Sequence, residues 1–179
     1  LRVLLDSHSR IAGAPETSWI TGGYTNFSIR QLIESLDENK LGASKNLTGV
    51  DSSVLLESAR QFLKTLLRAY LEERGKEYLV LKTPDDVRYL DFLLQLFPSS
   101  KYIHIHRDGR DVACSTYAKK GTFFGEKMLA EYGEFSLLNA LKRWHDWERK
   151  IQASLAGVNS ISISYEKLVE DPAGTLQKI

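Results

Sequence analysis

Lys101-Tyr102-Ile103-His104-Ile105-His106 runs straight into Arg107-Asp108-Gly109-Arg110-Asp111-Val112-Ala113-Cys114-Ser115, and the reading of this stretch decides the fold. The first six residues have the length and composition of a strand, and the segment beyond Gly109 reads as a helix. Working upstream, Tyr89, Phe92, Leu93 and Leu96 mark an apolar helix face that Asp85 can cap and Pro98 halts. Before it, Tyr78-Leu79-Val80-Leu81-Lys82 is a short apolar run expected to be a strand buried on both faces. Earlier still, Val54, Leu55, Ala59, Phe62, Leu63, Leu66, Leu67 and Tyr70 recur at steps of three and four, which predicts a helix from Ser52 to Arg74 with Gly75 as its C-cap.

Working downstream, Leu137, Leu141, Trp144, Ile151 and Leu155 predict a long amphipathic helix from Phe135 to Leu155 that Gly157 can end. Ser160-Ile161-Ser162-Ile163-Ser164 then alternates as a strand. The order strand, helix, strand, helix, strand implies right-handed crossovers and a parallel sheet covered by helices. In such a sheet all the strands' carboxyl ends emerge on one edge, where ligands of open α/β folds bind. Lys82, Arg107 and Tyr165 each stand at such an end. Two cations and an aromatic ring suit an anionic, aromatic ligand such as a nucleotide, and they equally suit solvated strand ends; spacing alone leaves both readings open.

Composition bounds the remaining choices. The chain has 179 residues, 42% hydrophobic and 26% charged, which fits one domain over 1–179 with a sizeable core. Its 24 basic and 23 acidic residues leave a net charge of +1, so no global positive field points to nucleic acid, and any anion site must be local. A single cysteine, Cys114, excludes an internal disulfide and leans towards a reducing, cytoplasmic setting. The triplets Asn26-Phe27-Ser28 and Asn46-Leu47-Thr48 are glycan acceptors in form only, since chains of this length carry such triplets by chance. No apolar run approaches bilayer length. The start at Leu1 and the stop at Ile179 in mid-pattern read as a piece of something longer.

Arg107 and Ser115, eight residues apart across a strand-to-helix turn, resemble the 3′-phosphate-binding segment of sulfotransferases that use 3′-phosphoadenosine 5′-phosphosulfate. A forked guanidinium and a helix-borne hydroxyl are sensible partners for a phosphate. Other segments resemble the same family in the right order. Leu4-Leu5-Asp6-Ser7-His8 with Pro15-Glu16-Thr17 is similar to the stretch after the family's phosphosulfate loop. Leu81-Lys82-Thr83-Pro84 is similar to its lysine turn, and Arg143-Trp144 with Ser164-Tyr165-Glu166-Lys167-Leu168 to its closing helix, strand and turn. The resemblance implies a P-loop-like parallel sheet with helices on both faces. It makes Glu16 the base and Lys82 the lysine beside the donor's bridging oxygen, with Arg107 and Ser115 on the 3′-phosphate and Tyr165 against the adenine. It implies that sulfuryl donor and no metal, and leaves the acceptor, a hydroxyl or amine on a small molecule, sugar, lipid or protein tyrosine, to residues 18–50 and 119–134. It also allows a Golgi lumen for membrane-anchored members.

The chain departs from the pattern in two respects. Small-molecule sulfotransferases carry a histidine base where Pro84 stands, which moves the likeness towards the glutamate-using branch that includes tyrosylprotein and bacterial enzymes. The glycine-rich phosphosulfate loop is expected before Leu1, and a glycine and lysine segment for the 3′-phosphate beyond Ile179. Gly121-Thr122-Phe123-Phe124-Gly125-Glu126-Lys127 fails as a Walker loop, its glycines one residue too close and Met128 where Ser or Thr belongs. His104 and His106 share a strand face without a companion ligand, and Cys114 and Trp144 read as packing. Arg110 and Asp111 read as a surface pair. A kinase-like phosphotransferase and a non-catalytic nucleotide-binding module remain the alternatives.

Overall fold

A computed structural model describes residues 1–22, 27–36, 51–122, 129 and 136–179. The chain divides into two compact units, Leu1–Ser99 and Ser100–Ile179. It is an α/β protein whose strands pair in parallel.

The first unit runs α1 (Arg2–Asp6), β1 (Ile11–Gly13), α2 (Ser18–Thr21), α3 (Ile29–Leu36), α4 (Ser52–Arg74), β2 (Tyr78–Val80), a 3₁₀ helix (Pro84–Tyr89) and α5 (Leu90–Leu96). Strand β1 escaped the sequence reading. It pairs with β2 from Ile11 opposite Tyr78 to Gly13 opposite Val80, and α1 docks on it where Gly13 leaves room. A Cβ at Gly13 would lie 3.2 Å from the Arg2 carbonyl oxygen, while the Gly13 N–H donates to Asp6 at 2.7 Å and the Arg2 guanidinium to the Gly13 carbonyl at 3.0 Å. Strand β2 is less buried than its apolar run suggested, because Tyr78 is exposed and takes the Arg10 guanidinium 5.1 Å from its ring centroid.

Helix α4 has the expected bounds. Asp51 caps its start by accepting from the Ser53 N–H at 2.7 Å, and Gly75 ends it at φ 61°, a left-handed turn that glycine adopts without strain. Its buried stripe is rotated from the expected one. Leu56, Ala59, Leu63 and Leu67 face the core with Ile20, Ile29 and Leu96, whereas Val54, Phe62 and Leu66 are exposed. Beyond β2 the backbone is 3₁₀ before it becomes α-helical, with Thr83 at the N-cap position and Pro84 in the first turn. Asp85 therefore lies inside that turn and is not the cap expected of it.

The second unit runs β3 (Tyr102–His106), α6 (Gly109–Tyr117), α7 (Leu137–Ser154), β4 (Ser160–Ser164), α8 (Tyr165–Glu170) and α9 (Pro172–Leu176). β3 and β4 are parallel and in step, from Tyr102 opposite Ser160 to His106 opposite Ser164, so both strands end level. Each passes at once into a helix: Asp108 caps α6 through the Arg110 N–H at 2.8 Å, and Ser164 caps α8 through the Lys167 N–H at 3.3 Å. Helix α7 begins two residues later than expected, with Ser136 as its cap. Gly109 is required by packing, since a Cβ there would fall 2.4 Å from the Trp144 ring of α7.

Candidate active site

The level ends of β3 and β4 place Arg107 and Tyr165 side by side. The Arg107 guanidinium carbon lies 5.0 Å from the Tyr165 ring centroid, a cation–π distance. One η nitrogen donates to Asp111 Oδ2 at 3.1 Å, while Nε is buried and makes no hydrogen bond among the described residues. A buried guanidinium N–H without an acceptor has capacity for an oxygen anion. Ser115 is exposed on α6, one helical turn past Asp111 and so on the same helix face, which sets Arg107, Asp111 and Ser115 along one edge. Arg110 turns the other way and grips Asp108 at 2.6 Å, so the expected Arg110–Asp111 pair does not form. That bidentate contact holds the Asp108 carboxyl down at about 2.

Glu166 ties the two strand ends together. Its Oε1 accepts from the Asp108 N–H at 2.8 Å, and its Oε2 accepts from the Ser164 hydroxyl at 2.5 Å. The Ser164 hydroxyl, aided by that backbone N–H, holds the Glu166 carboxyl at about 2, so it is ionised throughout the neutral range. The sequence places Glu166 in a motif without showing this role, because the partner N–H lies 58 residues away.

In the first unit, Glu16 follows β1 and Lys82 follows β2, and the parallel pairing brings them together. The Lys82 ammonium donates to Glu16 Oε1 at 2.7 Å, with both side chains about half exposed. The Ala14 N–H donates to the Val80 carbonyl at 3.0 Å and the Thr17 N–H to Thr83 Oγ1 at 2.9 Å, one tie on either side of the pair. Asp86 accepts from the Thr21 hydroxyl at 2.7 Å. Burial pushes its carboxyl up to about 6 against the pull of the Thr21 and Thr83 hydroxyls. Asp86 has no periodic or motif signal that would have marked it.

The remaining residues singled out in the sequence stand as follows. His104 sits between Ser162 at 3.3 Å and Glu148 at 3.4 Å, and among the described residues no group of three His, Cys, Asp or Glu could hold a metal ion. Cys114 is exposed, with Ala113 beside it taking the buried position instead. Trp144 packs, as expected, and its neighbour is Gly109, which the sequence did not indicate. Both sequons, the Gly121–Lys127 stretch and most of the two acceptor segments extend outside the described residues. No described helix is long and apolar enough to cross a membrane.

The chain as a whole matches a known family of proteins. The family model described as "Sulfotransferase family" matches residues 1–179, and the chain belongs to that family. It is 25% identical to Protein-tyrosine sulfotransferase 1 of Danio rerio over 96% of this chain and 45% of that protein. It is 24% identical to Protein-tyrosine sulfotransferase A of Caenorhabditis elegans over 100% of this chain and 44% of that protein. The fold is similar to the solved "Sulfotransferase Domain from the Curacin Biosynthetic Pathway", with a TM-score of 0.62 and 21% identity over 99% of this chain and 66% of that one. The chain thus spans less than half the length of these two curated relatives.

Proposed function

We propose that residues 1–179 form one catalytic domain that transfers a sulfuryl group from 3′-phosphoadenosine 5′-phosphosulfate to an acceptor hydroxyl by in-line displacement, with protein tyrosine as the acceptor. Glu16 takes the proton from the acceptor hydroxyl as its oxygen bonds to sulfur. The bond from sulfur to the bridging oxygen breaks, and Lys82 stabilises the negative charge left on the phosphate. Their 2.7 Å contact supports a base and a cation that serve one reacting centre. Arg107 exchanges Asp111 for the 3′-phosphate, Ser115 donates a second hydrogen bond to it, and Tyr165 stacks on the adenine. The donor carries the activated sulfuryl group; the protein supplies orientation, proton removal and charge.

The observation that carries this reading is the buried Nε of Arg107 beside the Tyr165 ring, without an acceptor among the described residues. Names of relatives support tyrosine as acceptor, and the whole-chain family match favours sulfuryl over phosphoryl transfer. The test is to incubate the full-length protein with donor labelled in its sulfuryl group and a tyrosine-containing acidic peptide. Label is expected on the tyrosine oxygen with the wild type and is expected to be lost in Arg107→Ala. Label transfer undiminished in Arg107→Ala would overturn the assignment of the donor site, and transfer to other hydroxyls but never to tyrosine would overturn the acceptor.

A further inference from the structure

We infer that Asp86 is a positioning residue that locks the Glu16 segment to the Lys82 turn through a threonine relay; this rests on the reading of Glu16 and Lys82 above. Neither side chain of the pair is fixed by burial, since both are about half exposed, and an exposed ion pair is a weak constraint by itself. What fixes them lies underneath. Thr17, the neighbour of Glu16, and Thr83, the neighbour of Lys82, are both buried, and so is Thr21.

The hydroxyl of Thr83 accepts from the Thr17 N–H at 2.9 Å. The same hydroxyl acts on the Asp86 carboxyl, which it pulls towards the ionised form. Asp86 also accepts from the Thr21 hydroxyl at 2.7 Å, which joins α2 to the same hub. The Asp86 N–H donates back to the Thr83 carbonyl at 3.1 Å and keeps the 3₁₀ turn closed beneath Lys82. One carboxyl thereby holds the Thr21 hydroxyl directly and bears on the Thr83 hydroxyl that accepts from the backbone N–H next to Glu16. Removing it leaves the buried Thr21 hydroxyl without its acceptor and takes from Thr83 the carboxyl that acts on its hydroxyl.

The test uses the full-length protein with Asp86→Ala, Asp86→Asn, Thr83→Val and the double variant Asp86→Ala with Thr83→Val. Turnover is expected to fall about 10-fold in Asp86→Ala and in Thr83→Val, since slight misplacement at a reacting centre costs one to two powers of ten. The KM for the donor should hold within about twofold. The double variant should be no worse than either single one, because both break one relay. Asp86→Asn should recover at least half the wild-type turnover, its amide oxygen still accepting from the hydroxyls. Wild-type turnover in Asp86→Ala, or a double variant that loses the product of the two single effects, would overturn the relay. If Asp86→Ala does not fold, Thr83→Val alone decides by the same turnover loss. A crystal structure of that variant separates the two readings: a Glu16–Lys82 contact retained there rejects the relay, whereas full activity in Glu16→Gln rejects the site.

Discussion

Arg107 has a permanently charged fork at the end of a strand, one arm on Asp111 and a buried Nε with nothing to donate to among the described residues. Such a group is poised for an anion and costs stability while it waits, because a buried donor left unmet is penalised. Glu16 is the other residue on which the proposed chemistry turns. Glu16→Gln should bind adenosine 3′,5′-bisphosphate like the wild type while its turnover falls by about 100-fold or more, as loss of a general base predicts; undiminished turnover would remove Glu16 from the reaction. Calorimetry and steady-state kinetics on one preparation separate these effects. At this scale the sequence was informative for Lys82, Arg107 and Tyr165, because each follows a strand whose pattern is readable. It was silent on Asp86 and on the clamp made by Glu166, because both roles depend on partners distant in sequence or on burial that no local pattern reports.

At the scale of elements, two contacts hold the site's supports. Gly109 admits the Trp144 ring against the first turn of α6, and a methyl group there would collide with it. Gly109→Ala should therefore destabilise by about 1–3 kcal/mol, as overpacking does, measured as a lower urea midpoint; an unchanged midpoint would contradict the packing. Leu63 is fully buried on α4 among Ile20, Ile29 and Leu96, and Leu63→Ala should cost about 2–5 kcal/mol, whereas Phe62→Ala on the exposed side should cost far less. Helix α4, apart from its unread N-cap Asp51, was legible because a period of 3.6 runs up to a glycine. Its buried face was not, since apolar side chains occupy two adjacent stripes and only tertiary contacts choose between them. Strand β1 is three residues, Ile-Ala-Gly, too short for any alternation to show, and it exists because β2 offers it a parallel edge. Thr83-Pro84-Asp85 read as a polar break with Asp85 as the cap of the next helix, whereas the chain already enters a 3₁₀ turn at Pro84, a distinction that apolar spacing does not report.

For the molecule as a whole, titration links the sites to stability. Asp86 ionises at about 6 in the folded chain against an ordinary 3.8. The folded state thus holds that proton more tightly than the unfolded chain, so the contribution is full below pH 4 and is lost as pH rises through 6. Asp108 and Glu166, both held at about 2, act in the opposite sense: their contribution is full above their ordinary values and is lost as pH falls towards 2. The urea midpoint of the wild type should accordingly drop between pH 4 and 7 relative to Asp86→Asn, by the equivalent of on the order of 2 kcal/mol after allowance for partial exposure. A difference between the two proteins that does not change with pH would contradict the buried state of Asp86. The near-neutral net charge fits an anion site that is local to one strand edge. The central claim is that Arg107 grips the donor's phosphate. Calorimetric titration of the full-length protein and its Arg107→Ala variant with adenosine 3′,5′-bisphosphate tests it most directly. Loss of a charge-assisted contact should weaken binding by at least about 10-fold, and equal affinity of the two proteins would contradict it.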